Sequence, residues 1–158
     1  MAKPKLVYVT YISTSPEKLF NALIDPEITK LYWWRRQNVS DWKVGSPWKH
    51  RDCDNENLVD IVGKVVEYNP PRRLVITWAF PADAENEAKH SQVTFDIEPF
   101  MDAIRLTVTH EDLEPDSDML RGITKGWPAV LSSLKTFLET GKPMPMATQR
   151  ESGLHDKD

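Results

Sequence analysis

Between Trp48 and His110 the chain alternates apolar and polar residues in several short stretches, and one wide apolar stripe of helical period follows them. Period two puts alternate side chains on one face of a strand, whereas spacing by three and four lines one side of a helix. Leu74, Ile76, Trp78 and Phe80 share a face; so do Val93, Phe95 and Ile97, and again Ile104, Leu106, Val108 and His110. Trp48 and His50 do the same in an earlier strand. A set of strands apolar on one face only belongs to an antiparallel sheet with one packed side. The element that can cover that face carries Leu120, Ile123, Trp127, Val130, Leu131, Leu134, Phe137 and Leu138, the broad stripe of an amphipathic helix. Asp116 or Ser117 caps it and Gly141 ends it. The fold class that follows is α+β.

The remaining segments fit around this pair of layers. Leu6 to Ile12 is rich in β-branched and aromatic residues and reads as a strand. "TSPEKLF" starts a helix in one of two ways: a capping box of Thr14 with Glu17, or Ser15 as cap with Pro16 at the favoured first position. Asp25-Pro26-Glu27 restarts a second short helix, which "WWRR" (Trp33 to Arg36) ends. Leu58 to Tyr68 is a longer strand in which Gly63 marks a bulge or a close approach. "NPPRR" is a stiff turn, and "PADAENEAKH" a polar hairpin loop. Residues 1–142 form one domain. Residues 143–158 hold too little apolar content to pack and are expected to be a flexible tail.

Composition closes several routes. A formal charge of −4 gives no electrostatic case for nucleic acid or an anionic membrane. No stretch approaches the roughly 20 apolar residues that span a bilayer. Cys53 is the one cysteine, so an internal disulfide is impossible, and with no leader-like h-region near Met1 the expectation is a cytoplasmic protein. The Asn38-Val39-Ser40 sequon is then a chance match.

"TSPEKLFNALIDPE", "YWW", "GKVVEYNPPRRLVITW" and "GWPAVLSSLKTFLE", in that order, resemble the START-like SRPBCC superfamily. Within it the likeness is to the group named after the C-terminal domain of the activator of the heat-shock protein 90 ATPase. The resemblance covers about the first 140 residues. It implies a helix-grip fold: a curved antiparallel sheet wrapped around the long C-terminal helix, two short helices after the first strand, and often an apolar cavity. It also brings a chaperone into view as a possible partner. Where the group usually carries a glycine pair before its third strand, this chain has Gly45-Ser46-Pro47.

Candidate chemistry gathers between sheet and helix. Trp48, His50, Trp78, Phe80, Phe95, Val108, His110, Trp127 and Leu131 point there by alternation or helical period. They either fill a core or line a cavity for a small apolar or amphipathic molecule. Of Trp33 and Trp34, one is expected to plug core and the other to sit at the cavity rim, with Arg35 or Arg36 near the mouth to meet an acidic ligand group. Those arginines could equally stack on indoles or pair with carboxylates. Gly122, Gly126 and Pro128 weaken the last helix: either it starts near Trp127, or its first half is loosened and can open a pocket.

Other chemistry is thin. His50-x-x-Cys53 offers two soft ligands where a structural zinc needs four, so no metal and no cofactor is expected. No G-x-S-x-G, P-loop or dinucleotide fingerprint occurs. The leading reading is a non-catalytic binder, monomeric or weakly dimeric. The alternatives are a cyclase- or hydrolase-type enzyme using His50 or His110, and an interaction module for a chaperone or stress response.

Overall fold

A computed structural model describes residues 2–149. Strand β1 (Leu6–Ile12) leads into helices α1 (Pro16–Ile24) and α2 (Pro26–Tyr32). Strands β2 (Arg36–Ser40), β3 (Pro47–Asp52), β4 (Val59–Asn69), β5 (Arg73–Trp78), β6 (Ser91–Phe100) and β7 (Ala103–Glu111) follow, and helix α3 (Asp118–Thr140) closes the domain. The strands form one curved antiparallel sheet of seven in the order β1-β7-β6-β5-β4-β3-β2. This is the expected α+β helix-grip arrangement. The apolar faces read from alternation are inside: Leu74, Ile76, Val93, Phe95, Leu106 and Val108 are all buried.

Local chemistry decides between the alternatives left by the sequence. Ser15, not Thr14, caps α1, its hydroxyl accepting from the Lys18 N–H, with Pro16 in the first turn. Asp25 caps α2 through the Glu27 N–H. Gly63 is a close-approach site: a Cβ there would collide with the Thr77 carbonyl and Trp48 Nε1. Gly63 lies opposite Trp48, and its bare backbone lets that indole cross to donate to the Thr77 carbonyl at 2.7 Å. The bulges fall elsewhere, at His50/Arg51 and Val65/Glu67.

Helix α3 does not begin at Trp127. It is continuous from Asp118, capped by Ser117, and carries Pro128 within it. Gly141 ends it in the left-handed conformation at φ 81°. The second half of α3 is tied down: Ser133 Oγ donates to the Tyr32 carbonyl at 2.6 Å, Lys135 Nζ to the Tyr11 carbonyl at 2.7 Å, and Glu139 accepts from the Ser13 N–H. Upstream of Pro128, Arg121 pairs with Asp116 and Asp118, and Thr124 Oγ1 turns back to the Leu120 carbonyl, bonds that stay within the helix and its cap.

The strand β2 was not legible in the sequence, and the expected tail needs a correction. Pro145–Thr148 forms a 3-10 turn and Ala147 is fully buried in the core. Residues 150–158 of that expected tail lie outside the described residues. No helix among the described residues is long and apolar enough to cross a membrane.

Candidate functional site

Between the first turns of α3 and the sheet lies a half-open cavity of about 800 Å³. Trp33, His50, Ile61, Trp78 and Phe80 line its sheet side, and residues 118–127 with Val130 line its helix side. The aromatic walls touch one another: Trp78 and Trp127 ring centres lie 5.6 Å apart, Trp33 and Trp127 5.7 Å, Trp33 and His50 4.8 Å. Such tilted contacts suit ring edges and faces of opposite partial charge.

Not every expected site residue reaches this space. Trp34, Trp48, Phe95, Val108, His110 and Leu131 are buried, but in the packed layers around it. Phe80 lies just past the end of β5 and is 37% exposed, so it forms rim rather than interior. Arg35 and Arg36 do not meet the cavity. Arg35 pairs with Asp54, and Arg36 with Asp60 and with the buried Asp52 at 3.0 Å. Ile61, Met119, Ile123 and Val130 line the cavity without having been singled out. For Ile123 and Val130 the helical stripe was the available signal; for Ile61 it was the inward register of its strand.

His50 is held from behind. Its Nδ1 lies 2.7 Å from Asn38 Oδ1, its cross-strand partner on β2. Asn38 Nδ2 donates to the Leu23 carbonyl, which fixes the amide so that Oδ1 accepts and His50 Nδ1 carries the hydrogen. The sequon asparagine is therefore a buried positioning group, 5% exposed.

His110 sits in a bonded chain of fixed polarity. Ser91 Oγ donates to the Trp78 carbonyl at 3.0 Å, so it accepts from His110 Nε2–H at 2.8 Å. His110 Nδ1 is then bare and accepts from Trp127 Nε1–H at 3.0 Å. A proton on Nδ1 would face another N–H, and the ring is fully buried. Burial alone pushes the imidazole from its usual 6.5 down to about 3. A histidine so committed is neutral and structural, and it clamps Trp127 to the sheet.

Among the described residues no group of three or more His, Cys, Asp or Glu could hold a metal.

A curved sheet gripping one long helix defines a helix-grip fold, here with an aromatic-lined cavity between the two layers. Residues 13–139 match the family described as Activator of Hsp90 ATPase homolog 1-like protein, and the chain belongs to that family. Among solved structures it is similar to CalU16 from Micromonospora echinospora, at 20% identity and a TM-score of 0.69, covering 92% of this chain and 80% of that one. It is also similar to MLL2253 from Mesorhizobium loti, at 25% identity and a TM-score of 0.70, covering 85% and 96%. The Aha1 dimer from Colwellia psychrerythraea gives 24% identity and a TM-score of 0.71, covering 88% and 98%. No curated protein matches the chain.

Proposed function

We propose that the protein is a non-catalytic binder of a small apolar or amphipathic molecule, held between the sheet and the first half of α3. The observation that carries this reading is the cavity itself, about 800 Å³ and walled by Trp33, Trp78, Trp127 and His50. That volume and lining are typical of small-molecule sites, which are mostly apolar with a few placed polar groups. The rival enzymatic reading needs a histidine able to move protons. His110 has both ring nitrogens engaged and does not line the cavity. His50 does line it, its Nδ1 held by Asn38, but its neighbours on the sheet-side wall, Trp33, Ile61, Trp78 and Phe80, offer no nucleophile or second acid–base group.

The gate follows from the same geometry. Pro128 deprives the Thr124 carbonyl of its helical partner, Gly122 and Gly126 loosen the same turns, and all three lie upstream of the anchored half. A ligand enters by displacing the turns of residues 118–126 while Trp127, clamped to His110, stays as the pivot.

Quenching of tryptophan fluorescence by an apolar probe tests this. Binding is expected to saturate, and Trp127→Ala should weaken it about tenfold. Trp42→Ala should leave it nearly unchanged, because Trp42 packs on the outside of the core, away from the cavity. Equal effects of the two variants, or no saturable quenching, would mean that the aromatics serve only as core.

A further inference from the structure

The sheet ends in β2 on one side and β1 on the other, and the two edges are finished differently. The β2 edge is closed. Gln37 and Asn38 are buried, α2 packs along the strand, and the Asn38 N–H donates to Thr29 Oγ1 at 3.0 Å. The β1 edge is open. In an antiparallel strand the N–H and C=O of one residue leave on the same side, and successive residues alternate. The Tyr11 carbonyl meets Lys135 Nζ and the Ser13 N–H meets Glu139, both on α3 and away from β7. The odd residues therefore turn their backbone groups outward, and no described residue outside the sheet bonds those of Val7 or Val9.

Natural sheets blunt such an edge with charge, proline or a bulge. Strand β1, LVYVTYI, has none of the three, and its register with β7 runs unbroken from Leu6 to Ile12. Its outward side chains are apolar as well. Val7 and Val9 are 54% and 52% exposed, and the exposed Tyr11 ring rests on Phe100 at 4.9 Å between centres.

We propose that this edge is the contact between two copies of the chain, β1 pairing antiparallel with β1 of a second copy about a two-fold axis through Val9. In that register the strand is its own complement. Val9 faces Val9 of the second copy and Val7 faces Tyr11, so each of these pairs exchanges N–H and C=O and the apolar stripe continues across the axis. The Tyr11 carbonyl keeps Lys135 and accepts the incoming N–H on its second lone pair. The flanking charges agree with this register. Exposed Lys5 falls opposite Ser13 of the second copy, whose N–H is held by the carboxylate of Glu139. Symmetry makes that approach of cation and carboxylate twice. A second copy thus supplies the matching stripe and the opposite charge together. One strand and one stripe make a small contact, so the dimer is a weak, micromolar one. No residue of the cavity lining lies on β1, so this pairing stands or falls apart from the ligand-binding reading.

Sedimentation velocity of the full chain should show a monomer–dimer equilibrium across the micromolar range. Val9→Lys sets two ammonium groups face to face on the axis and should weaken the dimer about tenfold or more. Its melting temperature should match that of the wild type, because Val9 packs in no core. Cross-linking reads the register. In a Cys53→Ser background, Val9→Cys should form a disulfide dimer under mild oxidation, its two Cα atoms lying about 5.5 Å apart. Val7→Cys should not, since Val7 and its copy lie four residues apart along the pair, about 13 Å. A wild-type chain that stays monomeric throughout overturns the proposal. So does a dimer that survives Val9→Lys undiminished, or one that cross-links through Val7→Cys in place of Val9→Cys.

Discussion

The paired tryptophans and arginines of Leu31 to Arg36 turn out to divide their labour residue by residue. Trp33 enters the cavity wall and Trp34 is buried beside it, while Trp34 and Arg35 take left-handed backbone at φ 48° and 62° to turn the chain from α2 into β2. Non-glycine residues pay roughly 1–2 kcal/mol each for that conformation, offset here by the Arg36 N–H to Trp33 carbonyl and Cys53 N–H to Arg35 carbonyl bonds. The guanidinium of Arg36 neutralises Asp52, whose side chain is 1% exposed. Arg36→Ala should therefore cost about 3 kcal/mol by removing the counter-charge of that buried carboxylate, whose bonds from the Asp54 and Asn55 N–H groups remain, while probe affinity stays within about twofold; denaturant unfolding and fluorescence titration read the two separately. A large affinity loss in a well-folded variant would return Arg36 to the ligand site. His110 makes a pH prediction with a definite sign. Its imidazole is held down to about 3 in the folded protein against 6.5 ordinarily, so as pH falls below 6.5 the unfolded chain takes up the proton first. The contribution is complete above about pH 6.5 and is lost as pH falls toward 3, by about 1.4 kcal/mol per pH unit. Unfolding curves of wild type and His110→Gln should converge over that interval; parallel pH dependences would show that His110 is not held neutral. The bonding of His110 was not visible in the sequence, because alternation says which way its side chain points but not which nitrogen is occupied.

Among the elements, α3 is the one whose two halves do different things. Its stripe, caps and end were readable from residue spacing, since Ser117 and Gly141 are residues whose local chemistry starts and stops helices. Its continuity through Pro128 was not, because a proline's local penalty is set against packing by Trp127, Val130 and Leu131, which only the folded sheet supplies. Restoring the missing donor with Pro128→Ala should stiffen the joint. Amide protons of residues 119–126 should then exchange about tenfold more slowly, with both association and release of an apolar probe slowed. Unchanged exchange in those turns would mean that the proline is not what loosens them. Strand β2 escaped notice for a different reason: Arg36, Gln37 and Asn38 look like surface, and their burial depends on the cover provided by α2 and on the ion pairs of Arg36.

At the scale of the whole molecule, the order of elements and the buried face of each central strand were legible because two periodicities suffice to state them. The boundary between core and cavity was not. Phe95, Val108 and Leu131 carry the same inward signal as Trp78 and Trp127, and only the standing-off of α3 decides which of them faces open space. A guest that binds the folded state alone must also raise its stability. At a concentration one hundred times its dissociation constant, an apolar probe should add about 2.7 kcal/mol, seen as a rise in melting temperature that Trp127→Ala largely removes. A probe that quenches fluorescence without this shift would be binding outside the cavity. The division of α3 has a consequence for how such a protein can change over generations. Anchorage is vested in Ser133, Lys135 and Glu139, whereas the turns from Asp118 to Lys125 line the cavity. Substitutions there can drift through alternative specificities while the scaffold remains above its folding threshold, so recognition and foldability can evolve on separate stretches of a single helix.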